Sequence, residues 1–379
     1  MEWAQIIQGL GLKYVEASAD NECDPLYHCK EFMEDWTGEV KNACDMTGIR
    51  IANLYSGHGT YSTLGLAHTD RRMRLRFLEK WLKPQLARAG EFGAGLGFFT
   101  HAFTDSVLQV PAEYWRSLSA LIDNLADLAS YAAKNGFGPV GVEQMYTPHQ
   151  VPWTISGAIE IMRRVYTRAK APMYITIDTG HQSGQARFLR ISEKQVRRLI
   201  RLGRAGCANK GVWLGPQSAF RLYEKAVTDK RAPEDWLVSK IGKEADKYPF
   251  LFASSEDGDP YTWLARLACW SPIIHLQQTD NICSAHLPFT RQWNRTGIIK
   301  GSKVLKAIRD SYRQRPEPGM PPRITDIYLT IEVFSGTSGI NRDILNNLRE
   351  TVAYWRRFVP EDGLTLDRLL SGNRDGRVA

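Results

Sequence analysis

Seven short, mostly apolar runs recur along the chain, separated by longer segments with helical periodicity. The runs are KYVEAS, IRIANLYS, AGLGFFTHAF, VGVEQM, MYITIDTGH, PIIHLQQ and IYLTIEVF. Most are nearly continuous in β-branched and aliphatic residues, the pattern of strands buried on both faces. Amphipathic segments lie between them, among them FMEDWTGEVKNACDMTG, which stops at Gly48, and the long DRRMRLRFLEKWLKPQLARAG. Strands alternating with helices imply parallel pairing and right-handed crossovers, hence an α/β barrel. The chain opens in a helix-like segment, WAQIIQGLGL, so the first of eight strands is missing or truncated. Either the start given lies downstream of the true one, or that strand is supplied differently. The alternation lapses in a long insert, about 182–260, after the sixth strand of an eight-strand count. Residues 361–379 read as a partly mobile tail, and 1–379 as one barrel domain.

Four of the runs end in side chains of one chemical kind. Glu143 closes PVGVE, Asp178 closes MYITID, His275 closes PIIH and Glu332 closes IYLTIE. All four offer oxygen or nitrogen donors, a set suited to one divalent cation such as Mn²⁺, Mg²⁺, Co²⁺ or Zn²⁺. In one barrel, these strand ends meet at the C-terminal mouth, where barrel enzymes keep their chemistry. A single acid at a strand end is ordinarily solvated or a cap. Four in series are harder to explain that way, because an isolated carboxylate near a core costs several kcal/mol unless it is paired.

Composition narrows the setting. Hydrophobic residues make up 43% and charged residues 24%, ordinary for a soluble globular protein. No apolar run approaches the roughly 20 residues of a bilayer span, and the N-terminus lacks the basic region of a secretory signal. The six cysteines form no CxxC pair, which reads as reduced thiols in a cytoplasmic protein. The net charge of +8 favours anionic ligands. Much of the excess lies in Arg187, Arg190, Arg197, Arg198, Arg201 and Arg204, several of them on the amphipathic ISEKQVRRLIRLG. That stretch is either a solvated helix face or an attractor of phosphorylated substrate or nucleic acid.

The order Glu143, Asp178, His275, Glu332 resembles the xylose-isomerase-like TIM (β/α)8 barrels. That superfamily includes sugar isomerases, ketose 3-epimerases and metal-dependent apurinic-site endonucleases. The segment HLQQTDNICSAHLPFTRQWNRTGIIKG resembles the sugar-phosphate epimerases of erythritol breakdown, which act on erythrulose phosphate. The resemblance implies a sugar or sugar-phosphate isomerase or epimerase with one divalent metal held by these four residues. Glu143 and Glu332 would also be the acid/base pair, moving a proton through a metal-stabilised enediolate. It further implies that His58 and His101 line the mouth, that His181 orients a substrate hydroxyl and that His286 sits at the same end. Arg291 and Asn294 would bind a phosphate or terminal hydroxyl, with Phe289 and Trp293 as an apolar wall. Family members are often dimers or tetramers, so a homo-oligomer is expected.

The endonuclease branch is the principal rival. Its metal set is matched by His58, His101, Glu143, Asp178 with His181, His275 and Glu332, but Ser284 stands where its Asp-x-His element has aspartate. No basic–aromatic loop is built to penetrate a duplex, which argues against a nucleic-acid partner. A sugar-acid decarboxylase or lyase and a non-catalytic barrel also remain open.

Overall fold

A computed structural model describes residues 1–57, 65–207, 211–229, 231, 233–315, 317–336 and 338–372. The seven runs form seven strands: β1 (Tyr14–Ser18), β2 (Arg50–Ser56), β3 (Gly95–Phe98), β4 (Val140–Glu143), β5 (Tyr174–Asp178), β6 (Ile273–Leu276) and β7 (Tyr328–Ile331). All pairs are parallel, and neighbours follow chain order from β1 to β7. The architecture is a nearly closed TIM-type α/β barrel. Among the described residues, β7 does not pair back to β1. The rings of Tyr14 and Tyr328 meet there edge-on, 5.0 Å between centroids. Strands β3 to β6 are buried throughout, whereas β1 and β7, at the two edges of the described sheet, are half-buried.

Strand alternation sorts the side chains. Leu96, Phe98, Val140, Val142, Ile175 and Ile177 join the main core with helix residues such as Leu121, Leu125, Ile159 and Met162. The helix Ile155–Ala169 presents Ile155, Ala158, Ile159, Met162 and Val165 to that core, and the Thr154 side chain caps it by accepting from the Gly157 N–H. The other set of strand residues points into the barrel. It is polar where most barrels of this kind are packed with branched apolar side chains.

Two sequence expectations change. The helix expected over 70–90 is interrupted by a π-helical turn, Leu78–Leu82, just before Pro84. Proline lacks the N–H for the i→i−4 bond, and its ring crowds the carbonyl one turn back. The strand expected to run through AGLGFFTH stops at Phe98, and His101 takes φ +66°.

Among the described residues of the insert after β5, the helices Glu193–Arg204, Gln217–Thr228 and Glu234–Asp246 pack around a small core of Val196, Ile200, Leu214, Leu237 and Ile241. Its arginines are largely spent on ion pairs within it. Arg190 meets Asp246 at 2.8 Å, Arg197 meets Asp235, and Arg201 and Arg204 meet Glu234 at 3.2 and 3.6 Å. The basic stretch is therefore a helix face serving the insert. No described helix is long and apolar enough to cross a membrane.

Candidate active site

The four strand-end residues converge. Glu143, Asp178, His275 and Glu332 each place a donor atom within 4.8 Å of the others. His275 Nδ1 lies 3.0 Å from Glu143 Oε1 and 3.2 Å from Glu332 Oε2. Glu143, His275 and Glu332, with Asp178 buried beside them, line a cavity of about 600 Å³ at the C-terminal ends of the strands, a size typical of small-molecule sites.

Each ligand candidate is held by its neighbours. Asp178 Oδ1 accepts the N–H groups of Gly180 (2.6 Å) and His181 (3.1 Å) and the Gln277 amide (2.8 Å), and the same amide lies 2.9 Å from Oδ2. A Cβ on Gly180 would fall 2.3 Å from the Gln277 side chain, so glycine is what lets this amide approach. The Tyr55 O–H donates to Glu143 Oε2, and its ring lies edge-on to His275, 4.9 Å between centroids. His275 Nε2 lies 2.8 Å from Glu16 Oε2, and Glu16 Oε1 accepts from the Asn53 amide at 2.7 Å. A contact between β1 and β6 is possible only through the barrel interior.

Room for these polar chains comes from β3. Cβ atoms on Gly95 and Gly97 would each lie 2.8 Å from Asn53, and on Gly97 also 2.8 Å from the Tyr55 ring. Gly97→Ala is accordingly expected to push both side chains from their seats and weaken cation binding at least about tenfold, as second-sphere changes do. Calorimetric titration with Mn²⁺ checks this; an unchanged affinity would show that the seat is not needed.

The site's ionisable groups perturb one another strongly. Burial raises the Glu332 carboxyl to about 7, against the opposing pull of His275. Burial lowers His275, but Glu332, Glu16 and hydrogen bonds to Glu143 and Glu16 outweigh it and hold the ring well above its ordinary value. Burial also raises Asp178, yet His181, His286, a hydrogen bond to Glu332 and His275 hold it below the ordinary aspartate range. Four carboxylates, those of Glu16, Glu143, Asp178 and Glu332, gather about His275, His181 and His286, a balance that a bound cation would improve. The donor set fits a divalent ion.

Residues 4–205, just over half of the chain, match the family described as Xylose isomerase-like TIM barrel. The chain belongs to this family. A relative, the D-erythrulose 1-phosphate 3-epimerase of Brucella abortus (strain 2308), is 23% identical over 323 residues, covering 84% of this chain and 78% of the relative. A solved xylose isomerase candidate from Rhodospirillum rubrum superposes with a TM-score of 0.64 at 16% identity, covering 94% of this chain and 92% of the other. A solved L-ribulose 3-epimerase gives 0.52 at 11% identity, covering 99% and 89%. These two structural likenesses speak for the fold.

Within the xylose isomerase-like barrel, the remaining expected residues divide. His181 and His286 line the cavity and form a second donor group with Asp178. His181 Nδ1 faces the Gln144 carbonyl at 2.8 Å, so it carries a proton and Nε2 is turned toward Asp178 (3.8 Å). His286 stands at φ +47°, its N–H donates to Gln277 Oε1 at 2.7 Å, and its ring stacks on the exposed Phe334. Burial lowers its imidazole. His58 lies outside the described residues. His101 is buried against Phe77 and Phe99 rather than on the cavity, and burial pushes its imidazole down to about 3.

Arg291 and Asn294 are corrections. Buried Phe289 stacks on Tyr354 and anchors the chain outside the mouth, so Arg291 is exposed and its N–H meets Glu350. Asn294 instead braces the scaffold, accepting from Gln278 (2.8 Å) and donating to the Phe289 carbonyl (2.9 Å). Phe289 likewise packs in the core and forms no cavity wall. The arginine that does line the cavity is Arg187, whose guanidinium donates to the Ile282 carbonyl at 3.1 Å. Glu16, Asn53, Tyr55 and Arg187 were not picked out as site residues from the sequence. For Glu16, Asn53 and Tyr55 the signal available was inward alternation: in a barrel covered on the outside by helices, every second residue of β1 and β2 faces the interior, whereas Arg187 lies in a turn after β5 that no such alternation marks.

Proposed function

We propose that the protein is a divalent-cation-dependent sugar or sugar-phosphate epimerase, acting at the carbon next to a ketose carbonyl. The observation that carries this reading is the meeting of Glu143, Asp178, His275 and Glu332 at one mouth, with two glutamates from strands three places apart. The 23% identity to a D-erythrulose 1-phosphate 3-epimerase supports a tetrulose phosphate as the substrate.

A cation bound by the four residues supplies Lewis-acid stabilisation of negative charge on substrate oxygens. The chain's own groups do the rest. One glutamate takes the proton from the carbon and the other returns it from the far side, which inverts configuration. Tyr55 holds Glu143 in place, and the buried Gln277 amide fixes Asp178. The His181 Nε2 is left facing the cavity for a substrate hydroxyl, because its Nδ1 proton is committed to Gln144.

The direct test is a metal count on protein purified without chelator, followed by a screen of ketoses and ketose phosphates for solvent deuterium uptake. About one cation per chain and uptake at a single carbon are expected. The second donor group, Asp178 with His181 and His286, is what favours the endonuclease reading. Close to three zinc ions per chain, with nicking of abasic duplex DNA, would replace the sugar reading.

A phosphate on the substrate needs a cation at the cavity wall, and among the described lining residues Arg187 is the one arginine or lysine. Arg187→Ala is expected to raise KM for a ketose phosphate about 10- to 100-fold, the worth of hydrogen bonds to a charged group, and to leave an unphosphorylated ketose nearly unaffected. Equal effects on both substrates would remove Arg187 from phosphate recognition.

A further inference from the structure

We infer that Glu16 is a positioning residue that selects which nitrogen of His275 faces the cation; this rests on the epimerase reading above. The Nδ1 atom points at the other candidate ligands, 3.0 Å from Glu143 and 3.2 Å from Glu332. The Nε2 atom points the opposite way, 2.8 Å from Glu16 Oε2. An ionised carboxylate can only accept, so the proton on that side belongs to Nε2. With a cation present, the lone pair is thereby left on Nδ1, toward the metal. A carboxylate behind a ligating imidazole fixes the tautomer and ring orientation and raises the ligand's basicity.

The arrangement is built rather than incidental. The Glu16 side chain is 6% exposed, and its second oxygen is taken by the Asn53 amide, the residue beside it in the β1–β2 register. Asn53 is seated over Gly95 and Gly97, where any Cβ would collide with it. The chain from His275 through Glu16 to Asn53 thus links β6 to β1 and β2. It crosses the barrel interior on the side where, among the described residues, β7 and β1 do not pair, so it also holds β1 in line with the site.

The test uses the full chain and the near-isosteric Glu16→Gln, with Asn53→Ala as a second variant acting one step further away. Mn²⁺ affinity is measured by competition with a chelating dye, and the Nε2 proton of His275 is followed by NMR in the Zn²⁺-loaded protein. Glu16→Gln should weaken Mn²⁺ binding about 10- to 100-fold, with a smaller loss in Asn53→Ala. The Nε2 proton should resonate at low field in the parent and move upfield in Glu16→Gln. Parent-like affinity together with an unmoved proton in a folded Glu16→Gln protein overturns the role of Glu16 and leaves the epimerase reading standing. A parent protein that takes up no Mn²⁺ or Zn²⁺ overturns that reading, and this inference with it.

Discussion

Glu332→Gln and Glu143→Gln should each lower epimerisation by at least about 10²- to 10⁴-fold, the usual contribution of a positioned acid or base. Glutamine keeps the size of the side chain and one ligating oxygen but cannot accept a proton from carbon. The two variants should differ in a telling way. In the proposed mechanism each glutamate would serve one epimer as base and the other as acid, so each variant should lose deuterium uptake most completely from one of the two epimers. Uptake is read by NMR from each epimer separately, on samples whose cation content has been measured. Normal turnover in either variant would remove that glutamate from proton transfer. Equal loss from both epimers at full cation loading would point to a single base.

The site was legible where chain periodicity and chemistry coincide. Glu143 and Asp178 end buried strands, His275 is the penultimate residue of another and Glu332 directly follows β7, so apolar runs closing on a donor marked each position. Glu16 carries no such mark, because KYVEAS reads as an ordinary half-polar strand. Its role depends on which face of β1 turns inward, and on a partner 259 residues away. Arg291 failed for the converse reason. It lies close to His286 in sequence, but the packing of Phe289 on Tyr354 and Trp355 redirects the chain between them. His101 was expected at a strand end, but the backbone leaves the strand after Phe98 and turns to positive φ, which no apolar pattern announces. The barrel class followed from alternation alone, while the seam between β1 and β7 shows in the structure as two half-buried strands.

Removing a ligand should show in stability as well as activity. A cation that binds only the folded chain stabilises it by about 2.7 kcal/mol at a hundred times its Kd and about 4.1 kcal/mol at a thousand times. Asp178→Asn and His275→Ala should abolish most of that increment, and EDTA should do the same to the parent. The pH dependence has a definite sign. In the cation-free fold, Glu332 is raised from 4.5 to about 7 and His275 is raised as well. Groups raised on folding give stability that is present at low pH and lost as pH rises through their folded values. The Glu332 contribution therefore fades between pH 4.5 and about 7. Asp178, held low, acts in the opposite sense, but only below the ordinary aspartate range. A cation held by these residues would have to displace protons from Glu332 and His275, so its affinity should rise over the same interval. Melting curves with Mn²⁺ and with EDTA should lie close together at pH 6 and separate at pH 8. Coincident curves for the parent at pH 8, or a full increment in His275→Ala, would show that these four residues do not hold the cation.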